Sequence, residues 1–183
     1  MTIEAVMKIG KTHIDVFYGD IAALNVEAVV NPANNMLWIG GGFSGIIRKN
    51  GGKSIETEAL ALAPADIGSA VVTGAGDLKA RWVIHAVVSG QDLVVHEESI
   101  RKTMGACYSK ANEIGCTSIA LPMLNARTLD VEIHKAAHLM IEETINYLVN
   151  ENKTLVSVVF VEYPEEMKDI FKTTLRGMFS HHG

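Results

Sequence analysis

Four short, nearly unbroken apolar runs constrain this chain more than anything else in it. Val26 to Val30 is interrupted only by Glu27, and Trp82 to Val88, Ser118 to Pro122 and Leu155 to Tyr163 read in the same way. A strand that is apolar at consecutive positions has both faces covered, as a central strand of a layered α/β structure does. Between these runs the periodicity changes. Ile100, Met104, Cys107, Ala111 and Ile114 recur at three- and four-residue intervals over Glu97 to Ile114, with Gly115 as a stop. Ala137, Ile141, Ile145 and Leu148 do the same over Val131 to Leu148. Shorter helices are expected over residues 54–62 and 164–175. Strands are expected over 4–9 and 12–18, joined by a turn at Gly10-Lys11, and over 70–73. Strands alternating with helices predict an α/β fold: a three-layer α/β/α sandwich around a mixed, mostly parallel central sheet. Residues 1–183 read as one domain with a core at about 12–175 and a loose tail over 177–183.

The chemistry concentrates after the first interior run. Asn31-Pro32-Ala33-Asn34-Asn35 leads through Trp38 to Gly40-Gly41-Gly42-Phe43, and a helix-like stretch follows. Three glycines let the backbone curl with its amides inward, and N–H donors at a helix start form a site for phosphate or another anion. Asparagines carry donors and acceptors together, which suits sugar hydroxyls. The pattern points to a nucleotide-derived ligand. Each piece also has a plain structural alternative: a helix cap for Asp20, a strand-end turn residue for Asn34, and a flexible turn for the glycines.

Composition narrows the class. A formal net charge of −5 argues against a general nucleic-acid binder, which needs a basic face. It leaves room for one phosphorylated ligand held by backbone dipoles. The longest apolar runs, such as Leu155 to Val161, fall far short of the ~20 residues that span a bilayer. No secretory signal is recognisable at the N-terminus. Cys107 and Cys116 lack metal-ligand spacing and read as reduced core thiols of a cytoplasmic protein. His134 and His138 have the spacing of a zinc pair on a helix, but Lys135 stands where a metallopeptidase needs its glutamate and no third ligand is evident. His85, inside a buried run, reads as a core histidine, and Gly74-Ala75-Gly76 as a turn. No metal and no cofactor is expected, and oligomeric state leaves no mark in the sequence.

Gly19-Asp20-Ile21, Asn31-Pro32-Ala33-Asn34, Gly40-Gly41-Gly42 and Trp82-Val83-Ile84-His85, in this order, resemble the macrodomain family of α/β/α modules that recognise ADP-ribose. The resemblance spans roughly residues 12 to 175. It implies that Asp20 accepts from the adenine amino group and that Ile21 offers an amide to the ring. It further implies that Asn31 and Asn34 serve the ribose end and that Gly40, Gly41, Gly42 and Phe43 wrap the diphosphate. A second loop, at Asn125, Ala126 and Arg127, would close over the phosphates, and the implied partners are ADP-ribose or an ADP-ribosylated protein.

Three departures from that family qualify the expectation. The second loop is usually glycine-rich, whereas this chain reads Asn125-Ala126-Arg127-Thr128-Leu129-Asp130. Side chains there hinder close backbone approach, although Arg127 would fork onto a phosphate. Its alternative is a solvent-facing arginine. The strand from Trp82 continues as Val88-Ser89 instead of Gly-Pro. Ser44 stands where family members that hydrolyse ADP-ribosyl bonds often carry an aspartate, and a hydroxyl of ordinary pKa does not activate water. Three readings stay open: a binding module; a hydrolase of ADP-ribosyl esters or of ADP-ribose 1″-phosphate, positioned by Asn34; and a scaffold that has lost its ligand.

Overall fold

The computed structural model describes residues 2–124 and 131–179. Its seven strands are β1 (Thr2–Ile9), β2 (Thr12–Tyr18), β3 (Ala28–Asn34), β4 (Ala70–Gly74), β5 (Trp82–Ser89), β6 (Ser118–Pro122) and β7 (Ser157–Glu162). They form one sheet in the order β1-β2-β7-β6-β3-β5-β4. The pairs β2–β7, β7–β6, β6–β3 and β3–β5 are parallel, and only the two outer pairs, β1–β2 and β4–β5, are antiparallel. The sheet is therefore mixed and mostly parallel, as the apolar runs predict.

Helices α1 (Gly42–Gly51), α2 (Lys53–Ala61), α3 (Glu97–Glu113), α4 (Ile133–Asn150) and α5 (Ile170–Phe179) complete the sandwich. Side chains alternate across the pleat, so consecutive apolar residues serve opposite layers. Ala28 and Val30, Ile119 and Leu121, and Val158 and Phe160 face a core built with α3, α4 and α5. The interleaved Val29, Ala120, Val159 and Val161 face a second core with Ile47 and Ile55 of α1 and α2. The unbroken apolar runs are the signature of this two-sided burial.

Two boundaries differ from the sequence expectation in ways that shape the site. Strand β3 starts at Ala28 and runs on through Asn34, so the asparagines extend a strand end that the sequence places in a loop. It pairs with β5 as far as Asn34↔Ser89 but with β6 only at Ala28 and Val29. Pro32 therefore sits where the strand is open on one side, the position a residue without an N–H tolerates. At the other end of the chain, α5 begins at Ile170 instead of Pro164, after a 3-10 turn at Glu165–Met167. The buried carboxylate of Glu162 explains the start. It accepts from the N–H groups of Asp169 at 2.6 Å and Phe171 at 2.8 Å, donors that a helix start leaves unpaired.

The Gly74-Ala75-Gly76 turn packs against the junction of α1 and α2. A β-carbon at Gly76 would meet the Gly51 carbonyl oxygen at 1.8 Å, so only glycine fits there.

Candidate functional site

Ligands of open α/β sheets bind at the carboxyl ends of the parallel strands. Here the ends of β3, β5, β6 and β7 lie on one edge, and the segment that follows β3 is built by Asn34. Its Oδ1 accepts from the Met36 N–H at 2.9 Å, and its Nδ2 donates to the Trp38 carbonyl at 3.1 Å. These bonds fold residues 35–38 back on the strand. They hold Leu37 buried at φ +57°, an unusual backbone for leucine, and present Trp38 outward. The Trp38 ring lies over Gly40, and α1 then starts at Gly42, also with positive φ, preceded by Gly41. No side chain caps α1, so its first amides and the positive end of its dipole face this edge unshielded.

Two cavities flank the glycine segment. The smaller, of about 170 Å³, reaches from Asn34, Gly40 and Gly41 to Ser89, Val95 and Leu124. The larger, of about 530 Å³, is walled by Gly42, Phe43, Met123, Tyr163, Pro164 and Met167, among others. Phe43 belongs to both. No lysine or arginine lines either cavity among the described residues, so positive potential comes from the backbone. Ser44 lines the smaller cavity with its hydroxyl committed to the Pro32 carbonyl at 3.1 Å.

Several expected residues stand elsewhere. Asp20 caps the 3-10 turn at Ile21–Ala23 and accepts from the Ala22 N–H at 2.8 Å. Its second carboxylate oxygen makes no hydrogen bond among the described residues. Ile21 is buried in the α1–α2 core. Neither lines the two cavities described above. Asn31 is also set apart, buried within β3 beside its register partner His85 of β5. Its Nδ2 is 3.2 Å from His85 Nδ1, and Thr73 Oγ1 is 2.9 Å from His85 Nε2. Thr73 also donates to the Gly74 carbonyl, so it accepts from an Nε2–H and the ring is the Nε2–H tautomer. Burial pushes the His85 pKa down to about 4. Asn125, Ala126 and Arg127 lie outside the described residues. His134 and His138 are exposed on α4, and no group of three or more His, Cys, Asp or Glu among the described residues is placed to hold a metal.

The pattern of the Macro domain family matches residues 30–140, a span that begins within β3 and contains the glycine segment and β5. The chain belongs to the Macro domain family. Relatives agree with this macrodomain along nearly its whole length. An uncharacterised protein of Aquifex aeolicus is 35% identical over 163 residues, covering 88% of this chain and 97% of its own. O-acetyl-ADP-ribose deacetylase 1 of Pantoea vagans is 30% identical over 164 residues, 86% of this chain and 95% of its own. Among solved structures, the Oceanobacillus iheyensis macrodomain with ADP superposes with a TM-score of 0.83 at 23% identity, covering 98% of this chain and 99% of that one. The Trypanosoma brucei macrodomain in complex with ADP-ribose gives 0.83 at 23% identity over 93% of this chain and 73% of that one.

The macrodomain's two cavities draw on residues that carry no signal in the sequence. Leu93 and Val95 reach the smaller cavity because the chain turns sharply after β5: Leu93 N–H bonds to the Gly90 carbonyl and Ser89 bridges to Val95. Leu93 holds φ +60° in that turn. Tyr163 and Met167 arrive from the far end of the chain. The smaller cavity has no titratable side chain in its lining among the described residues, so it offers no general base of its own.

Proposed function

We propose that this macrodomain binds ADP-ribose, free or attached to a protein, across its two cavities. The observation that carries the reading is the uncapped start of α1, lying between two cavities that share Phe43. A ligand with a charge at its middle and a ring system at each end matches that layout. The diphosphate sits on the amides of Gly40, Gly41, Gly42 and Phe43, where backbone dipoles hold an anion without basic side chains. The adenosine takes the larger cavity, whose volume falls within the range of small-molecule pockets, against Phe43, Tyr163 and Pro164. The terminal ribose lies at the mouth of the smaller cavity beside Asn34.

The ADP-bound and ADP-ribose-bound structures of the two macrodomains above support the ligand class. Binding without chemistry is favoured over hydrolysis by the state of Ser44 and Asn34. The serine hydrogen is given to the Pro32 carbonyl, and Asn34 gives Oδ1 and one Nδ2 hydrogen to the loop. The deacetylase of Pantoea vagans supports the second reading, hydrolysis of an ester on the ribose. Both buried thiols have raised pKa values, about 12 for Cys107 and about 11 for Cys116, through loss of solvation, and both are free. They agree with a reducing, cytoplasmic setting.

Titration calorimetry with ADP-ribose tests the assignment. Heat at micromolar ligand is expected, and silence at millimolar ligand overturns it. Release of acetate from O-acetyl-ADP-ribose, measured in parallel and abolished in Asn34→Ala, would establish the hydrolase instead.

A further inference from the structure

Among the described residues, nothing covers the outer face of α5. Its inner side chains, Phe171 and Leu175, are buried in the core. Its outer side carries Thr173 and Gly177, one turn apart and both exposed. A β-carbon at Gly177 would meet no atom within 4 Å, so no neighbour within the chain requires a glycine there. Glycine in a helix costs up to about 1 kcal/mol relative to alanine, and the close approach of a second backbone explains its use. Phe179, 48% exposed, stands between two grooves. One, of about 400 Å³, runs along Val6, Met7 and Leu175 on the β1 side. The other, of about 630 Å³, passes Ile145, Met178 and Val149 on the α4 side, and Val149 is 65% exposed. Projecting apolar side chains beside apolar hollows make a patch that a copy of itself can fill.

The two margins of this face carry opposite charge balances. On the α4 side Arg101 holds Glu143 at 2.5 Å and Glu142 at 2.8 Å, which leaves one carboxylate in excess. On the β1 side Lys172 and Arg176 hold Glu4 at 2.6 Å and 3.2 Å, which leaves one cation in excess. Asp169, 3.9 Å from Lys172, stands before the first turn of α5, the end remote from Phe179. We propose that this face seats a second copy of the chain, in a dimer whose two-fold axis runs parallel to α5. Gly177 then meets Gly177, and the α4 margin of each copy lies over the β1 margin of the other. Each Phe179 enters the partner's groove beside Ile145 and Val149, and the acidic margin faces the basic one at both ends. An axis perpendicular to α5 within the interface would set like margins together instead. None of these residues lines the two cavities at the strand ends, so both copies keep them open.

Sedimentation equilibrium of the whole protein, from low to high micromolar concentration, tests the dimer. The mass is expected to double across that range at low salt, and the association to weaken as salt is added. Gly177→Gln places a side chain on the axis. It is expected to weaken the dimer at least tenfold while the dilute protein keeps or gains stability to urea, since glutamine is the better helix former. Charge reversal tests the arrangement itself. Glu142→Arg alone and Arg176→Glu alone each set like charges across the axis at both ends, so each is expected to stay monomeric. Mixed together they set unlike charges at both ends, and the mixture is expected to dimerise. A monomeric wild type at every concentration overturns the proposal and leaves the face to an unlike partner. A mass above two copies overturns the closed symmetry. A wild-type dimer that Gly177→Gln leaves intact, or a mixture that stays monomeric while wild type dimerises, overturns the placement on α5.

Discussion

The indole of Trp38 rests on Gly40 so closely that a β-carbon at Gly40 would stand 2.5 Å from ring atom Cζ3. The absence of a side chain at position 40 therefore sets the pose of the aromatic ring at the mouth of the smaller cavity. Gly40→Ala is expected to push the ring aside without straining the backbone. Affinity for ADP-ribose should fall at least tenfold by calorimetry, while the melting temperature moves by less than ~2 °C. A large loss of thermal stability would show that the ring is a core element and not a site element.

Asn34 builds the loop that follows β3. Asn34→Ala removes two hydrogen bonds at once, and urea unfolding is expected to show a loss of about 2 kcal/mol. Asn34→Asp keeps the acceptor for the Met36 amide and loses the donor to the Trp38 carbonyl, so its loss should be about half as large. Equal stability of wild type and Asn34→Ala would mean that the segment holds its shape without the amide.

His85 gives folding a defined acid dependence. Its folded pKa is lowered to about 4 from an ordinary 6.5 because burial disfavours the imidazolium. Between those values the unfolded chain binds a proton that the folded chain refuses. Stability is therefore fully present above pH 6.5 and falls as pH drops toward 4, by about 3 kcal/mol in all. Unfolding free energies measured from pH 7 to 4.5 should decline along that course. In a folded His85→Gln variant the decline over this window should flatten.

Glu162 behaves in the opposite sense. Loss of solvation raises its pKa although backbone amides at the start of α5 donate to it. The folded state holds the proton to a higher pH than the unfolded state, so ionisation costs stability as pH rises through that window. Glu162→Gln keeps one of the two acceptor oxygens and discards the buried charge, and is expected to cost about 1 kcal/mol at pH 7. Glu162→Ala strands the amides of Asp169 and Phe171 and is expected to cost about 3 kcal/mol. Equilibrium unfolding of the two variants separates the roles.

The layered fold is legible in the sequence because burial on both faces leaves an unambiguous trace. Val29 and its neighbours Ala28 and Val30 must all be apolar when each serves a different layer. The long helices are legible for the same reason, since Ile100, Met104, Cys107 and Ala111 sit on one buried stripe. The glycine segment and Asn34 are legible as a pair through residue chemistry. Asn31 is not, because an asparagine that partners a buried histidine looks the same in sequence as one that waits for a sugar. Leu37 and Leu93 adopt positive φ, which leucine does not advertise. Ser89, Val95 and Tyr163 are invisible as cavity-lining residues because only the sheet order brings β3, β5 and β7 to a common edge. From sequence, α5 begins at Pro164, and the structure moves it to Ile170 because a carboxylate earlier in the chain supplies the cap.

Phe43 forms part of the wall of both cavities. A ligand fragment lodged on one side must settle that ring before anything reaches the other, and the conformational freedom lost in doing so is lost only once. The two ends of a dinucleotide-like molecule are then read jointly: either half alone bears the whole ordering cost, and the intact molecule gains more than the halves summed.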